Sequence, residues 1–441
     1  MRKKARNEGR PGYKKTRVGW IPEEWECKHL GEVLEKIIGG STPSKKIDQY
    51  WNGNIPWATV KDLSKGNLTD TIDHITSTGL KNSATNLIPA NTVIVATRMG
   101  VGACIRFAVD VAINQDLKAL FPNKKLITDF LYWLIIYNEL KLAQMGTGST
   151  VDGIRIEDLS FLYIPLPPLP EQKKIAESLS AWDRAIEQVG KLIDAKLRLK
   201  KGLMQQLLTG RMRFPEFNHE THERHEKDKG ELPEGWREVQ LKDIAAISFS
   251  GVDKKSRPGQ KRVRLCNYMD VYNNNYITAD MDFMWATASD AEIEKFSLNI
   301  DDIIITKDSE TPDDIGVPSV VTEKLDNVVC GYHLALIKPD LKKTDPIFLT
   351  KQIEYEQVAN QFSRLANGAT RFGLTTAAVK GVRLWLPELE EQIRIAAVLS
   401  TCGREIELLR RKEIALQEQK KGLMQKLLTG EVRVKADGAV I

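Results

Sequence analysis

The chain contains a long internal repeat, and this repeat limits the possible folds more than any other feature of the sequence. The segment KKGLMQQLLTG ends at Gly210, and KKGLMQKLLTG, with a single difference, ends at Gly430. At the same offset of 220 residues, LPPLPEQKKIAESLS (166–180) aligns with LPELEEQIRIAAVLS (386–400). Self-similarity at a fixed spacing is typical of repeated structural units. The sequence therefore predicts two similar units in tandem.

Each copy begins with the motif Pro-Glu-x-Trp. IPEEWECKHLGEV starts at Ile21 and LPEGWREVQLKDI starts at Leu232, an offset of 211 residues. Because the conserved segments are offset by 220 residues, the second variable body is nine residues longer than the first. Between this motif and the conserved segment the two bodies differ in sequence. One scaffold that carries two different surfaces is the simplest interpretation.

The two bodies share an order of apolar patterns. The β-branched runs NTVIVAT (91–97) and DDIIIT (301–306) are typical of buried strands. Residues 128–145 and 345–362 have the apolar spacing of helices. Both bodies are therefore predicted to be mixed α/β domains.

The conserved segments have the heptad pattern of a coiled coil, sustained for about four heptads. At ~1.5 Å per residue, each helix of about 39 residues is roughly 60 Å long. Lys196 and Lys200 interrupt the pattern in the first helix, and Glu413 and Lys420 interrupt it in the second. The apolar rows predict a helix-pair seam formed by Ile175, Leu179, Trp182, Ile186, Val189, Ile193, Ile395, Leu399, Cys402, Ile406 and Leu409.

These patterns divide the chain into seven segments. We expect a basic N-terminal segment, a first variable domain, a first conserved helix, a polar linker, a second variable domain, a second conserved helix and a tail. In this order the boundaries are 1–21, 22–165, 166–210, 211–232, 233–385, 386–430 and 431–441.

Composition excludes several classes of protein. The longest apolar run, FLYWLII at 130–136, is far shorter than a membrane span, and the basic N-terminus lacks the apolar stretch of a secretory signal. The cysteines are odd in number and never spaced as CxxC, which argues against a disulfide framework. They are Cys27, Cys104, Cys266, Cys330 and Cys402. We expect a cytoplasmic protein without a membrane partner.

Positive charge is concentrated in two runs, although the net charge is only +5. Residues 1–17 contain eight basic residues and one acidic residue, and residues 251–264 contain six and one. Each run fits either a solvated surface or a loop that faces phosphates.

No strong catalytic motif occurs. GGSTPSKK (39–46) lacks the second glycine of a phosphate-binding loop, and the motifs GxSxG, HExxH and Asn-Pro-Pro-Tyr are absent from the sequence. A loose metal-nuclease pattern, Pro312-Asp313 with Asp340-Leu341-Lys342, has no counterpart in the first body. We therefore expect no catalytic residue, with a nuclease or a fused methyltransferase as the alternative.

A metal site is also not expected. His219, His222 and His225 are spaced by three residues in the linker, but neither a fourth ligand nor a rigid frame accompanies them. A solvated linker is the better interpretation.

Two variable bodies that alternate with two conserved helices ending in KKGLMQQLLTG resemble the specificity subunit of type I restriction–modification enzymes. Motifs in the bodies are similar to two known types of target recognition domain. They are residues 39–63, 97–102 and 113–120 in the first body, and 251–274 (GVDKKSRPGQKRVRLCNYMDVYNN), 305–316 (ITKDSETPDDIG) and 330–339 (CGYHLALIKP) in the second. PELEEQ (387–392), at the start of the second conserved segment, departs from the proline-rich sequence PPLPEQ (167–172) at the equivalent place in the first.

The resemblance implies a fold and a set of partners. The fold is α+β: two α/β target recognition domains separated by two long antiparallel coiled-coil helices, with a pseudo-twofold internal repeat. Such a subunit reads a bipartite, asymmetric target in double-stranded DNA. Its expected partners are two methyltransferase subunits, which bind S-adenosylmethionine and methylate adenine, and two restriction or motor subunits, which use ATP and Mg. No cofactor is expected on this chain.

Basic side chains in the body loops are the expected DNA contacts, because Lys suits phosphates and Arg can also pair with guanine. Surface solubility is the alternative for each of them. The predicted residues are Lys45, Lys46, Lys61, Arg98 and Arg106 in the first body and Lys254, Lys255, Arg257, Lys261, Arg262, Arg264 and Lys307 in the second.

Overall fold

The computed structural model describes residues 9–63, 68–146, 153–218 and 232–434. The chain divides into two compact units. The first unit contains residues 1–190 and 412–441, and the second contains residues 191–411. Both divisions fall inside a long helix, so each unit combines one body with part of each long helix.

The first unit contains twelve strands and seven helices within its described residues, the seventh being the end of α13 (Leu389–Leu428). The strands are β1 (Tyr13–Thr16), β2 (Gly19–Pro22), β3 (Glu26–His29), β4 (Leu34–Gly39), β5 (Trp51–Ala58), β6 (Asp73–Ile75), β7 (Asn86–Ile88), β8 (Val93–Ala96), β9 (Cys104–Ile105), β10 (Val111–Ile113), β11 (Leu117–Pro122) and β12 (Tyr163–Leu166). The helices are α1 (Val60–Leu63), α2 (Ser77–Lys81), α3 (Thr128–Tyr137), α4 (Glu139–Met145), α5 (Ile156–Ser160) and the start of α6 (Leu169–Leu207). Short 3₁₀ turns cover Leu30–Val33 and Asp48–Tyr50.

Two four-stranded sheets form the first body, in the orders β4-β11-β8-β9 and β6-β5-β10-β7. The predicted strand is confirmed as β8, all four residues of which are buried. An uninterrupted β-branched run suits a strand that is covered on both faces. The helix predicted at 128–145 is two helices, because the chain turns at Asn138, whose side-chain amide donates to the carbonyl of Leu134 at 2.8 Å.

The second unit has the same plan. Its strands are β13 (Arg237–Gln240), β14 (Ala245–Phe249), β15 (Lys261–Cys266), β16 (Tyr276–Ile277), β17 (Met284–Ala288), β18 (Ile303–Thr306), β19 (Asp308–Ser309), β20 (Pro318–Val321), β21 (Val328–Cys330), β22 (Leu334–Pro339), β23 (Phe372–Gly373) and β24 (Arg383–Leu386). Its helices are α7 (Leu241–Ile244), α8 (Tyr268–Tyr272), α9 (Asp290–Phe296), α10 (Pro346–Glu354), α11 (Glu356–Leu365), α12 (Thr376–Lys380) and most of α13 (Leu389–Leu428). Short 3₁₀ turns cover Pro215–Phe217 and Pro312–Asp314.

Strand pairing shows that the two bodies are related. In the second body, β22 pairs antiparallel with β14 and β18, as β11 does with β4 and β8 in the first. The strand before it, β21, pairs in parallel with β15, as β10 does with β5. The helix predicted at 345–362 is again two helices, divided at Tyr355. Two different sequences therefore build one topology.

The long helices α6 and α13 confirm the two predicted helical segments. In the first unit, Asp183 of α6 pairs with Lys420 of α13, and Gly190 lies beside Glu413. Residue numbers rise along one helix as they fall along the other, so the two helix segments in this unit are antiparallel. In the second unit, Lys196 of α6 pairs with Glu405 of α13 at 2.6 Å. The lysines that interrupt the heptads therefore have carboxylate partners.

All residues of the predicted seam are buried or half-buried. Ile175, Leu179, Val189, Ile193, Ile395, Leu399, Cys402 and Ile406 are buried, and Trp182, Ile186 and Leu409 are half-buried. The residues nearest each helix start also belong to the core of a body, as Leu179 does in the first unit and Leu399 in the second. The seam assignment itself stays a prediction.

The repeated motifs meet in each unit, in a cluster that we call the latch. In the first latch, the indole N–H of Trp25 donates to Glu171 at 2.9 Å. Arg433 donates through Nε and Nη2 to the two oxygens of Glu171, at 2.7 and 2.9 Å. Glu171 lies at the start of α6 and Arg433 follows the end of α13. One carboxylate therefore joins the body to both long helices.

The second latch is the equivalent cluster in the second unit. The indole of Trp236 donates to Glu391 at 3.1 Å, and Arg213 donates to the same carboxylate at 2.9 and 2.7 Å. Gly210, three residues before Arg213, has φ +65°, and a Cβ there would lie 2.3 Å from Pro233. Gly430 is equivalent, with φ +68° and Pro22 at 2.4 Å. The segment occurs twice because two equivalent junctions each require it.

Candidate nucleic-acid interface

Each body has a loop edge, which we define as the end of its central strand (β8 or β18) together with the start of the neighbouring strand (β11 or β22). Register places Ala96 opposite Leu117 in the first body and Thr306 opposite Leu334 in the second. Thr97 of the first body therefore has Lys307 as its counterpart, and Arg98 lies at the position of Asp308. Loops at the ends of rigid strands are where binding residues concentrate.

In the first body, the loop that carries Lys45 and Lys46 is attached to the loop edge. The indole of Trp51 donates to the carbonyl of Ser44 at 3.1 Å, and Trp57 donates to Ser41 at 3.2 Å. The next residue, Thr42, donates to Gln115 just before β11, at 2.7 Å. Both lysines are exposed. Two buried or half-buried indoles thus present two cations at this edge.

Two further predicted residues lie near the same edge. Arg98 is exposed and forms a backbone bridge with Gly153. The backbone N–H of Asn114 donates to the carbonyl of Ala58 at 3.1 Å, so α1, which carries the exposed Lys61, also begins there. The structure therefore gathers Lys45, Lys46, Lys61 and Arg98 in one region of the first body.

Arg106 lies elsewhere. It follows β9 at the opposite end of β8, pairs with Asp129 and stacks on the ring of Tyr132 at 4.5 Å. Its side chain is only 22% exposed. Its charge is therefore balanced inside the domain.

In the second body, Lys307 is partly enclosed at the loop edge. Its ammonium group donates to the carbonyl of Ser250 at 3.2 Å and lies 4.4 Å from the ring centroid of Tyr332 and 5.3 Å from that of Phe249. Burial lowers the pKa of Lys307 below its ordinary range, and the nearby Asp308 partly opposes that shift.

The basic loop of the second body starts from this edge. The hydroxyl of Ser250 donates to Cys330 at 2.5 Å, and the backbone N–H of Arg257 donates to Thr287 at 2.8 Å. Between these two anchors, Lys254 and Lys255 are exposed, as is Arg257. The structure therefore carries these three charges on one loop that runs from the loop edge to β17.

The remaining predicted residues lie on β15, away from the loop edge. Lys261 pairs with Asp290 at 2.7 Å, and Arg264 donates to the carbonyl of Asp326 at 2.6 Å. Arg262 stacks at 4.1 Å on Trp285, which is 53% exposed. An exposed aromatic ring beside arginines is typical of surfaces that bind nucleic acids.

Several loop-edge residues were not predicted from the sequence. His333 and Arg371 both pair with Asp308, and Tyr268 and Tyr272 stack nearby at 5.5 Å. One signal was available, since Arg371 directly follows GAT (368–370), which lies 220 residues after GST (148–150) and so forms a second copy of a Gly-x-Thr element in the internal repeat. The first copy, at 148–150, lies outside the described residues.

The metal-nuclease pattern does not converge on one site. Asp313 accepts from Ser363 near the loop edge, whereas Asp340 follows the far end of β22 and pairs with Lys343. A strand of six residues is ~20 Å long, so these carboxylates cannot share a metal ion. Among the described residues no group of metal-ligating side chains occurs, and the linker histidines lie outside them. No helix in the described ranges has the length and apolarity to cross a membrane.

Comparison with known proteins adds independent evidence. The family model for the type I restriction modification DNA specificity domain matches residues 22–196 and 233–418. The type I restriction enzyme MjaVIII specificity subunit of Methanocaldococcus jannaschii is 26% identical over 435 residues, which cover 94% of each chain. The MjaIX specificity subunit of the same organism is 29% identical over 240 residues, 53% of this chain and about half (55%) of that relative.

The fold is also found among solved structures. The S subunit of a type I restriction-modification system from M. genitalium has a TM-score of 0.57 with this chain at 16% identity, and the match covers 92% of this chain and 96% of that one. The expected architecture of two recognition domains with long antiparallel helices is thereby confirmed. The chain belongs to the family of type I restriction–modification DNA specificity proteins and contains two copies of its specificity domain.

Proposed function

We propose that this chain is the non-catalytic subunit that selects the DNA target of a type I restriction–modification complex. One observation carries the proposal: a single α/β scaffold occurs twice, with the same latch and with different residues at its loop edge. Two different loop edges on one chain read two different half-sites. The target is therefore bipartite and asymmetric.

The basic residues on the loops supply the attraction to the DNA backbone. Lys45 and Lys46 do so in the first body, and Lys254, Lys255 and Arg257 do so in the second, all from exposed positions. Each phosphate contact releases condensed counterions, so affinity falls as salt rises, with a slope of about −0.9 per contact.

The conserved helices supply the assembly surface. Because the two long helices repeat each other in sequence, they offer two similar surfaces to two copies of one methyltransferase subunit. That subunit binds S-adenosylmethionine and methylates adenine, and two restriction subunits that use ATP and Mg complete the complex. Native mass spectrometry of the co-expressed complex tests this ratio, and a single bound methyltransferase subunit contradicts it.

A domain exchange tests the reading function. Replacing residues 22–150 by the equivalent body of a related subunit is expected to change one half of the methylated motif and to leave the other half unchanged. Sequencing of methylated bases across the host genome reads both halves at once. A properly folded complex in which the exchange rewrites both halves contradicts the proposal.

A charge reversal tests the backbone contacts. Changing Lys254, Lys255 and Arg257 to Glu is expected to weaken DNA binding at least tenfold. The slope of log affinity against log salt concentration is expected to become less steep, by the equivalent of about three phosphate contacts. Lys242, Lys342 and Lys380 are exposed on other elements of the same body and provide a control with an equal change in charge. Unchanged affinity and salt slope in the first variant contradict the assignment.

A further inference from the structure

The loop edge of the second body contains a polar cavity of about 400 Å³. Its walls include Tyr268 and Tyr272 of α8, Asp308 of β19, His333, and Arg371 beside β23. The cavity has space for a base edge. We call it the Arg371 cavity.

One wall of this cavity is aromatic and fixed. The rings of Tyr268 and Tyr272 stack at 5.5 Å with 17° between their planes. The hydroxyl of Tyr272 lies 2.8 Å from both carboxylate oxygens of Asp314, to which it donates. Burial raises the pKa of Tyr268, so this hydroxyl stays protonated at neutral pH.

The opposite wall contains Arg371, whose guanidinium is held in place by the carboxylate of Asp308. Arg371 donates through Nη2 to Asp308 at 3.1 Å, and His333 lies 2.8 Å from the other oxygen of the same carboxylate. Asp308 is fixed by backbone pairing with Gly373 and is only 16% exposed, whereas Arg371 is 62% exposed. A half-buried carboxylate thus orients an exposed guanidinium.

Arg371 retains donors for a ligand. Both of its close polar contacts within the described residues use Nη2, so Nε and Nη1 have no partner there. The planar guanidinium is a fork of donors that matches the O6 and N7 acceptors of guanine in the major groove.

The charge around Arg371 favours a base over a phosphate. Asp308, Glu310 and Asp314 line the same cavity and repel a phosphate, while the edge of a guanine is neutral. At the two described positions equivalent to Asp308 and His333, the first body has Arg98 and Asp116 instead.

We propose that Arg371 determines specificity in the second body by donating two hydrogen bonds to O6 and N7 of one guanine, while Asp308 holds its guanidinium in place. This inference rests on the proposed function, and it adds the base class that one half-site contains. A bidentate contact of this type contributes about 1–3 kcal/mol of discrimination, which is roughly 5- to 150-fold.

The test uses the full chain co-expressed with its methyltransferase subunits in a host that lacks other adenine methylation. Arg371→Ala is expected to relax one G·C position in one half of the methylated motif by about fivefold or more, with every other position retained. Arg371→Lys keeps the charge but loses the planar fork, so it is expected to relax the same position. Asp308→Asn is expected to relax that position partly.

Arg383→Ala is the matched control. Arg383 is 64% exposed and donates to Glu238 at 3.1 Å, a geometry close to that of Arg371 with Asp308, but it lies on β24 outside the cavity. This variant is expected to leave the motif unchanged. Thermal unfolding checks all variants, and the Lys variant decides the matter if the Ala variant does not fold.

Two results overturn the inference while leaving the proposed function intact. In the first, a folded Arg371→Ala complex keeps full stringency at every position. In the second, methylation falls equally at all sites without any relaxed position, which identifies Arg371 as a phosphate contact. A wild-type complex that methylates without sequence preference instead contradicts the proposed function, and this inference with it.

Discussion

At the latch, the first unit uses Trp25, Glu171 and Arg433, and the second unit places Trp236, Glu391 and Arg213 in the same roles. At the loop edge, the residues differ. The first unit has Thr97, Arg98 and Gln115 where the second has Lys307, Asp308 and Tyr332. Sequence identity is thus concentrated at contacts that both units must make, and it is lost at the loop edge, where we propose that each unit meets its own half-site.

The latches differ in burial. In the second latch, the side chains of Arg213 and Glu391 are 8% and 1% exposed. In the first, those of Arg433 and Glu171 are 29% and 7% exposed, and Arg433 also pairs with Glu24. Because water screens the first pair more, we expect the same chemistry to stabilise the two units to different extents.

The largest expected effect comes from the predicted seam. Leu179 and Leu399 are equivalent and fully buried. Leu399→Asp and Leu179→Asp are each expected to cost about 4 kcal/mol or more, through the lost packing and a buried charge, and to prevent assembly with methyltransferase subunits. Leu408→Asp is the control, since Leu408 is 65% exposed. Urea unfolding and native mass spectrometry measure both effects, and a normal complex of Leu399→Asp contradicts the seam.

The latches come next. Glu391→Gln leaves the buried Arg213 without its carboxylate and is expected to cost about 3 kcal/mol, against about 2 kcal/mol for Glu171→Gln in the more exposed latch. Hydrogen exchange of the peptides that contain Trp236 and Trp25 measures each latch separately. Glu390→Gln, at an exposed neighbouring position, is the control. Equal losses in the two units contradict the role of burial.

A buried charge cluster occurs in the second unit. Glu354 pairs with Lys351 at 2.5 Å and with Lys200 at 3.0 Å. Burial raises the pKa of Glu354, but the two lysines outweigh that effect and hold the pKa below its ordinary value of 4.5. A lowered pKa in the folded state means that the cluster stabilises the fold above pH 4.5, and that this contribution is lost as pH falls below it.

Glu354→Gln is therefore expected to cost about 1–2 kcal/mol at pH 7 and progressively less below pH 4.5. Urea unfolding of the variant and the wild type across this range measures the difference. Asp183→Asn provides the comparison in the first unit, where the carboxylate that pairs with Lys420 is 45% exposed, and a smaller effect is expected. A difference that stays constant with pH contradicts the assignment.

The smallest effect is expected at an exposed ion pair between the helices. Lys196 and Glu405 are 31% and 46% exposed, and the equivalent positions of the first unit are Leu416 and Ala185. Glu405→Gln is expected to change unfolding in urea less than any variant above, with no difference remaining at high salt. A large effect that persists in salt shows that this pair fixes the register of the helices.

Local patterns were sufficient to predict much of the fold. The run NTVIVAT predicted the strand β8, and the heptad patterns predicted the helices α6 and α13. The breaks at Asn138 and Tyr355 were missed because apolar spacing continues across them. A turn that depends on side-chain capping, as at Asn138, does not interrupt that spacing.

The candidate site was only partly predictable. Basic side chains in the predicted body loops indicated Lys45, Lys46 and Lys254, all of which are exposed. They also suggested Arg106, whose partner Asp129 is 23 residues away. The Arg371 cavity was missed because Arg371 and Asp308 are 63 residues apart and each is unremarkable in its own segment.

The sequence by itself determined that this protein has two units, two long helices and two different bodies, because repeats, heptads and β-branched runs are local and can be read in order. Only the tertiary structure decided which partners the charged residues find. Arg213 reaches Glu391 across 178 residues, and Arg433 reaches Glu171 across 262. Such pairs form where the fold excludes water, and the exclusion of water is a property of the packed chain rather than of any segment within it.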